Sequence, residues 1–131
     1  MVGGEKEISD ELNEISKEII GAAIEVHRHL GPGLLENIYE KALLYEMKLR
    51  GLVAYSQVTV PVQYKDLTIE GQRLDILVEP GVIVEVKAVS AWREEHQAQL
   101  ISYLKTTGHR LGLLINFNLD VLKAGIKRIV V

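Results

Sequence analysis

Stretches of helical period, then of period two, then of helical period again predict an α/β (α+β) fold. In it helices flank a mixed β-sheet in the order α-α-β-β-β-α-β. Three observations carry this. Ile8, Leu12, Ile15, Ile19, Ala23 and Val26 recur at helical spacing. Val58, Val60, Val62 and Tyr64 alternate with Gln57, Thr59, Pro61 and Gln63. Leu111–Phe117 is a largely apolar run suited to a buried sheet position.

In chain order, residues 1–7 are expected to be a flexible tail and residues 8–131 a single domain. Ser9 is the expected N-cap of the first helix, with Asp10 and Glu11 placed favourably near the positive end of its dipole. Gly31-Pro32-Gly33 stops that helix. A second helix is expected from about Leu34 to Arg50, with Leu35, Ile38, Ala42, Tyr45 and Leu49 inward and Gly51 as its stop. The alternating run Val58–Tyr64 predicts a half-exposed strand, at an edge or bulged because Pro61 lacks an amide donor. Lys65-Asp66 turns into a long strand from about Leu67 to Glu79, interrupted at Gly71. Pro80-Gly81 leads into Val82–Val89; a helix over Arg93–Thr107 and strands over Leu111–Phe117 and Ile126–Val131 follow.

A chain of 131 residues is long enough to bury an ordinary core without staples. It contains no cysteine, which excludes disulfides, thiolate zinc sites and a cysteine nucleophile. His27 and His29 point to different faces of a helix, which argues against a shared metal. MVGGEKEISDE lacks the pattern of a signal peptide and no apolar run is long enough to span a bilayer, so a cytoplasmic protein without a membrane partner is expected. The net charge of -3 argues against a broad basic surface for non-specific nucleic-acid binding, but not against a nuclease whose phosphate contacts are made through divalent cations.

The stretch RLDILVEPGVIVEVKA carries Asp75, Glu85 and Lys87 within strands. Val82, Val84, Val86 and Ala88 share one face; Ile83, Glu85, Lys87 and Val89 share the other. Glu85 and Lys87 alone fit an exposed ion pair worth at most about 1 kcal/mol. Asp75 changes the question. A two-residue Pro80-Gly81 loop would set it opposite Val86, pointing away from Glu85. A three-residue loop, Glu79-Pro80-Gly81, would set it opposite Glu85, with Gly81 taking a positive φ. Two carboxylates so close repel unless a cation lies between them, and an oxygen-only pair suits Mg²⁺ or Mn²⁺. An adjacent lysine can orient or deprotonate a metal-bound water, a combination suited to phosphodiester hydrolysis.

Asp75 with Glu85-Val86-Lys87, on a hairpin between helices, resembles the PD-(D/E)xK nuclease superfamily, although Arg73-Leu74 rather than a proline precede the aspartate. Gly33-Leu34-Leu35-Glu36-Asn37-Ile38-Tyr39 is similar to the signature of the GxxExxY family, a group of small proteins within it. Gln99-Leu100-Ile101-Ser102-Tyr103 resembles the Q-x-x-x-Y motif of RecB-like nucleases. The resemblance implies a restriction-endonuclease-like core and a Mg²⁺-dependent (or Mn²⁺-dependent) nuclease. Asp75, Glu85 and the Val86 carbonyl would ligate the metal, with Glu36 supporting it or its waters. Lys87 would act on the attacking water, and Gln99, Tyr103 and Tyr39 would face substrate or Lys87. Nucleic acid, DNA or RNA, is the implied partner, and a small chain would grip a duplex as a homodimer. A catalytically silent nucleic-acid- or protein-binding module of the same fold is the alternative, favoured by the acidic balance; a hydrolase of small phosphoesters is a third reading.

Overall fold

The computed structural model describes residues 7–131, so the expected tail lies outside them except at Glu7, whose carbonyl accepts a hydrogen bond from Arg110 Nη1 at 2.8 Å. Helix α1 spans Asp10–Leu30. Ser9 Oγ accepts from the Leu12 amide at 3.2 Å, satisfying one of the orphan donors of the first turn. Gly31, at φ 68°, ends the helix by returning its N–H to the His27 carbonyl. Helix α2 spans Glu36–Leu49.

The strand pattern is more divided than the sequence suggests. Strand β1 is Ala54–Thr59, β2 is Val62–Tyr64, β3 is Leu67–Ile69, β4 is Arg73–Val78 and β5 is Val82–Lys87. The expected strand Val58–Tyr64 is thus broken at Val60-Pro61, and the expected Leu67–Glu79 strand is broken before Arg73. Pro61 cannot donate to a ladder, and Gly71 adopts φ 123°, so the chain leaves the main sheet between these points as a separate β2–β3 hairpin. Helix α3 spans Glu94–Thr107, β6 Leu111–Asn116 and β7 Ile126–Val130, the last preceded by a 3₁₀ turn over Leu122–Gly125. Among the described residues the main sheet runs β1-β4-β5-β6-β7. Only β5–β6 is parallel, with α3 as its crossover.

Helices α1 and α2 cover one face of the sheet, packing Ile19, Ala23, Tyr39, Leu43 and Met47 against Ile76, Val84, Leu113 and Ile115. Helix α3 covers the other, where Leu100, Tyr103 and Leu104 meet Ile83 and Leu114. Leu100 lies against the bare Cα of Gly112; a Cβ there would come within 2.9 Å of Leu100 Cδ1, so α3 sits close on β6.

The inward face expected for α2 is corrected by the structure. Leu35, Tyr45 and Leu49 are 73%, 64% and 63% exposed, Ile38 is exposed as well, and the buried stripe is Tyr39, Leu43 and Met47. Both stripes have helical spacing, so periodicity alone does not choose between them. Tyr39 decides the orientation by stacking on Phe117, with ring centroids 4.6 Å apart and planes 8° from parallel.

Candidate active site where strands β4 and β5 part

Three residues, Glu79-Pro80-Gly81, join β4 to β5, and the pairs Val78↔Val82, Leu77↔Ile83 and Ile76↔Val84 set the next row as Asp75 opposite Glu85. The odd loop expected from the sequence is present. Its turn is made differently: the Glu79–Pro80 peptide is cis, and Gly81 has no positive φ. Gly81 is instead crowded, since a Cβ there would lie 2.8 Å from His109 Nδ1.

At the Asp75/Glu85 row the ladder gives way to side chains. The Asp75 N–H donates to Glu85 Oε2 at 2.8 Å, and the Val86 N–H donates to Asp75 Oδ2 at 2.8 Å. Carboxylates thus take the place of backbone carbonyls, and the strands part without leaving either amide orphaned. Strand β5 continues with β6 to the pair Lys87↔Asn116.

The same row is irregular in β1. Ser56↔Ile76 and Val58↔Leu74 are paired, but Gln57, opposite Asp75, is not, and its φ is 53°. Sidedness changes here. Ala54, Ile76 and Val78 pack toward α1 and α2, whereas Val58 and Leu74 pack toward α3. Regular period two would put Leu74 with Ile76 and Val78, as the sequence suggests; the inverted row at Gln57 and Asp75 prevents it. Asp75 therefore sits where groups from both helical layers reach it.

Four carboxylates come near one another. Glu85 is 3% exposed, and burial followed by the charge of Asp75 pushes its carboxyl up to about 8. Burial also raises Asp75, partly offset by the Val86 amide and by Lys87, while the charge of Glu36 raises it further. Glu36 opens α2, and its Oε2 accepts from the Ala88 N–H at 3.1 Å, at the end of β5. Glu40, one turn on, is raised chiefly by burial, with Asp75 and Glu36 adding repulsion. Its two oxygens accept from Gln57 Nε2 at 3.1 and 3.0 Å. Glu36, Leu34, Leu35, Asn37 and Ala88 line a surface depression of about 440 Å³ beside this cluster.

From the other layer, Tyr103 is buried, and burial together with the charges of Glu85 and Asp75 raises its hydroxyl pKa. Gln99, a turn earlier on α3, is exposed. Tyr39, expected at the substrate, is instead fully buried: its hydroxyl donates to the Gly31 carbonyl and accepts from the Leu34 amide at 3.0 Å, shaping the entry to α2. His96 accepts from the Arg93 N–H at 3.2 Å and meets Trp92 edge-on, a helix-end role. His27 turns inward to the Leu119 carbonyl while His29 pairs with Glu25, so the two imidazoles diverge.

Glu40 and Gln57 are the site residues that the motifs pass over. Glu40 was legible as the i+4 neighbour of Glu36. Gln57 was not, because a polar residue in an alternating strand reads as solvent-facing and nothing in its identity signals a positive φ.

The donor set fits a hard divalent cation. It is all oxygen: Asp75, Glu85, the main chain of Val86 beside them, and Glu36, whose charge is felt at Asp75. Among the described residues no three His, Cys, Asp or Glu side chains converge to hold an ion by themselves. That suits Mg²⁺, which keeps several waters and takes one or two carboxylates. A cation would also offset the burial and the charge of Asp75 that together hold Glu85 near 8. No helix among the described residues is long and apolar enough to cross a membrane.

No curated protein and no solved structure matches the chain. A family model for the PD-(D/E)XK nuclease superfamily matches residues 13–129, from early α1 to the last strand, and so includes the parted strands and all four carboxylates. The chain belongs to the PD-(D/E)XK nuclease superfamily.

Proposed function

We propose that residues 8–131 form a Mg²⁺- or Mn²⁺-dependent nuclease domain that hydrolyses phosphodiester bonds in DNA or RNA, of the GxxExxY group on the strength of Gly33–Tyr39. The observation that carries this reading is the interlocked Asp75–Glu85 pair, with Glu85 raised to about 8 in a buried position where a divalent cation would relieve it. Asp75, Glu85 and the Val86 carbonyl would hold the ion, and Glu36 would orient its waters. When bound, the ion lowers the pKa of a water and polarises a phosphoryl oxygen. Lys87, half-buried at the end of β5 and close enough to stabilise both carboxylates, positions that water and balances charge growing at phosphorus. Tyr103 supports Glu85 from α3, and exposed Gln99 meets the phosphate backbone. Two copies together would span a duplex.

A catalytically silent module is the second reading, favoured by the acidic balance of the chain, whose net charge is -3. Cleavage assays on single- and double-stranded DNA and RNA with Mn²⁺ separate the two. The nuclease reading expects turnover by the wild type and a loss of about 10²–10⁴-fold in Lys87→Ala. Equal cleavage by both proteins, or none by the wild type, would sink it.

A further inference from the structure

Gln57 has three properties that a surface glutamine of an edge strand does not need. Its backbone sits at φ 53°, a left-handed conformation that long side chains seldom adopt. It lies opposite Asp75, at the row where pairing between β1 and β4 lapses. Its carboxamide nitrogen donates to both oxygens of Glu40, at 3.1 and 3.0 Å, and the same side chain lies near enough to Asp75 to favour its charged form. One neutral amide therefore ties helix α2 to strand β1 beside the acidic cluster.

Resting on the nuclease reading above, we infer that Gln57 is a positioning residue: it holds the Glu40 carboxylate to strand β1 in the row of Asp75, so that an incoming divalent cation is met by Asp75 and Glu85 while Glu40 is held back from it. The chemistry of the residue type fits. A lysine or arginine at this position would offer the same donors but would neutralise the carboxylates and compete with the ion. A glutamate would add a further negative charge with no proton to donate. An asparagine is one methylene shorter on the same backbone. Glutamine donates without contributing charge, and from the left-handed backbone its amide reaches both oxygens of Glu40.

The test uses the full chain with Gln57→Gly and Gln57→Asn. Both residues accept a positive φ, glycine freely and asparagine more readily than most, so the backbone is kept while the clamp is removed. Three readouts are taken: the thermal midpoint in chelator, the Mn²⁺ dissociation constant by calorimetry, and kcat and KM on a cleaved nucleic acid. The expected result is a midpoint for Gln57→Gly equal to or above that of the wild type, Mn²⁺ binding weakened about tenfold in both variants, and kcat reduced with KM unchanged. Either variant binding Mn²⁺ as tightly as the wild type overturns the inference alone and leaves the nuclease reading standing. A midpoint that collapses in both variants also overturns it, because Gln57 would then be structural. A wild type that binds no Mn²⁺ overturns both.

Discussion

Asp75 and Glu85 each satisfy a backbone amide on the opposite strand: the Asp75 N–H is held by the Glu85 carboxylate, and the Asp75 carboxylate holds the N–H of Val86. The pair does two jobs at once. It closes the hydrogen bonding of strands that are separating, and it aims two acids into one low-dielectric space. Two amide donors partly offset the repulsion, yet burial still dominates and both carboxyls remain raised.

That balance predicts how metal-free stability depends on pH. Glu85 titrates near 4.5 when unfolded and near 8 when folded. Below about pH 4.5 it is protonated in both states and carries no penalty. Between these values the folded state holds a proton that the unfolded state has lost, so stability falls as pH rises, by a few kcal/mol in all once pH passes about 8. Glu85→Gln removes this dependence while keeping an acceptor for the Asp75 amide. In chelator, the variant should melt with the wild type at pH 4.5 and on the order of 5–10 °C above it at pH 8, as thermal scans across that range would reveal. A constant gap at every pH would contradict the assignment.

Divalent metal should reverse the effect. At neutral pH, Mn²⁺ at about a hundredfold excess over its Kd stabilises the fold by about 2.7 kcal/mol, a rise of roughly 10 °C for a chain of this length. Asp75→Asn keeps an oxygen for the Val86 amide but removes the charge that would hold the ion. Differential scanning fluorimetry should show the shift in the wild type and none in the variant. A shift of equal size in both would place the ion elsewhere.

Asn116 offers a test of the frame that holds Lys87. It is buried, pairs across from Lys87, accepts from the amides of Val89 and Asn118 at 3.0 and 3.1 Å, and donates to the Val89 carbonyl at 2.9 Å. Asn116→Ala strands both backbone groups of Val89, two residues after Lys87, and the Asn118 amide, at a cost of about 2–4 kcal/mol. The midpoint should drop by on the order of 10 °C. Turnover should fall more than Mn²⁺ affinity, because Lys87 loses its support while Asp75 and Glu85 keep theirs.

The legible parts of this molecule were those that a local pattern dictates. Ser9 and Gly31 mark the ends of α1 by chemistry that acts within a few residues, and each does so in the structure. The register of Asp75 was narrowed to two loop lengths because a tight hairpin leaves few choices, and the structure has the one that sets it opposite Glu85. The inward face of α2 could not, since that helix carries apolar residues on two faces and only the Tyr39–Phe117 stack, between residues distant in sequence, selects one. Gln57 was hidden for a related reason. Its left-handed backbone comes with a hydrogen bond to Glu40, which is not its neighbour in the chain.

Tyr39 separates a structural from a substrate-contact role most sharply. Helix α2 begins at Leu35 without any side-chain cap, so the Tyr39 hydroxyl, bonded to Gly31 and Leu34, fixes the entry two residues before Glu36. Tyr39→Phe keeps the ring stacked on Phe117 and removes only those two hydrogen bonds, a loss of about 1–2 kcal/mol. Because Glu36 is then less firmly placed against the Ala88 amide, kcat should fall several-fold while KM for nucleic acid stays constant. A substrate contact predicts the opposite pattern, a higher KM with an unchanged melting temperature. Steady-state kinetics beside a thermal melt on this one variant distinguishes the two, and a raised KM at full stability would return Tyr39 to the substrate.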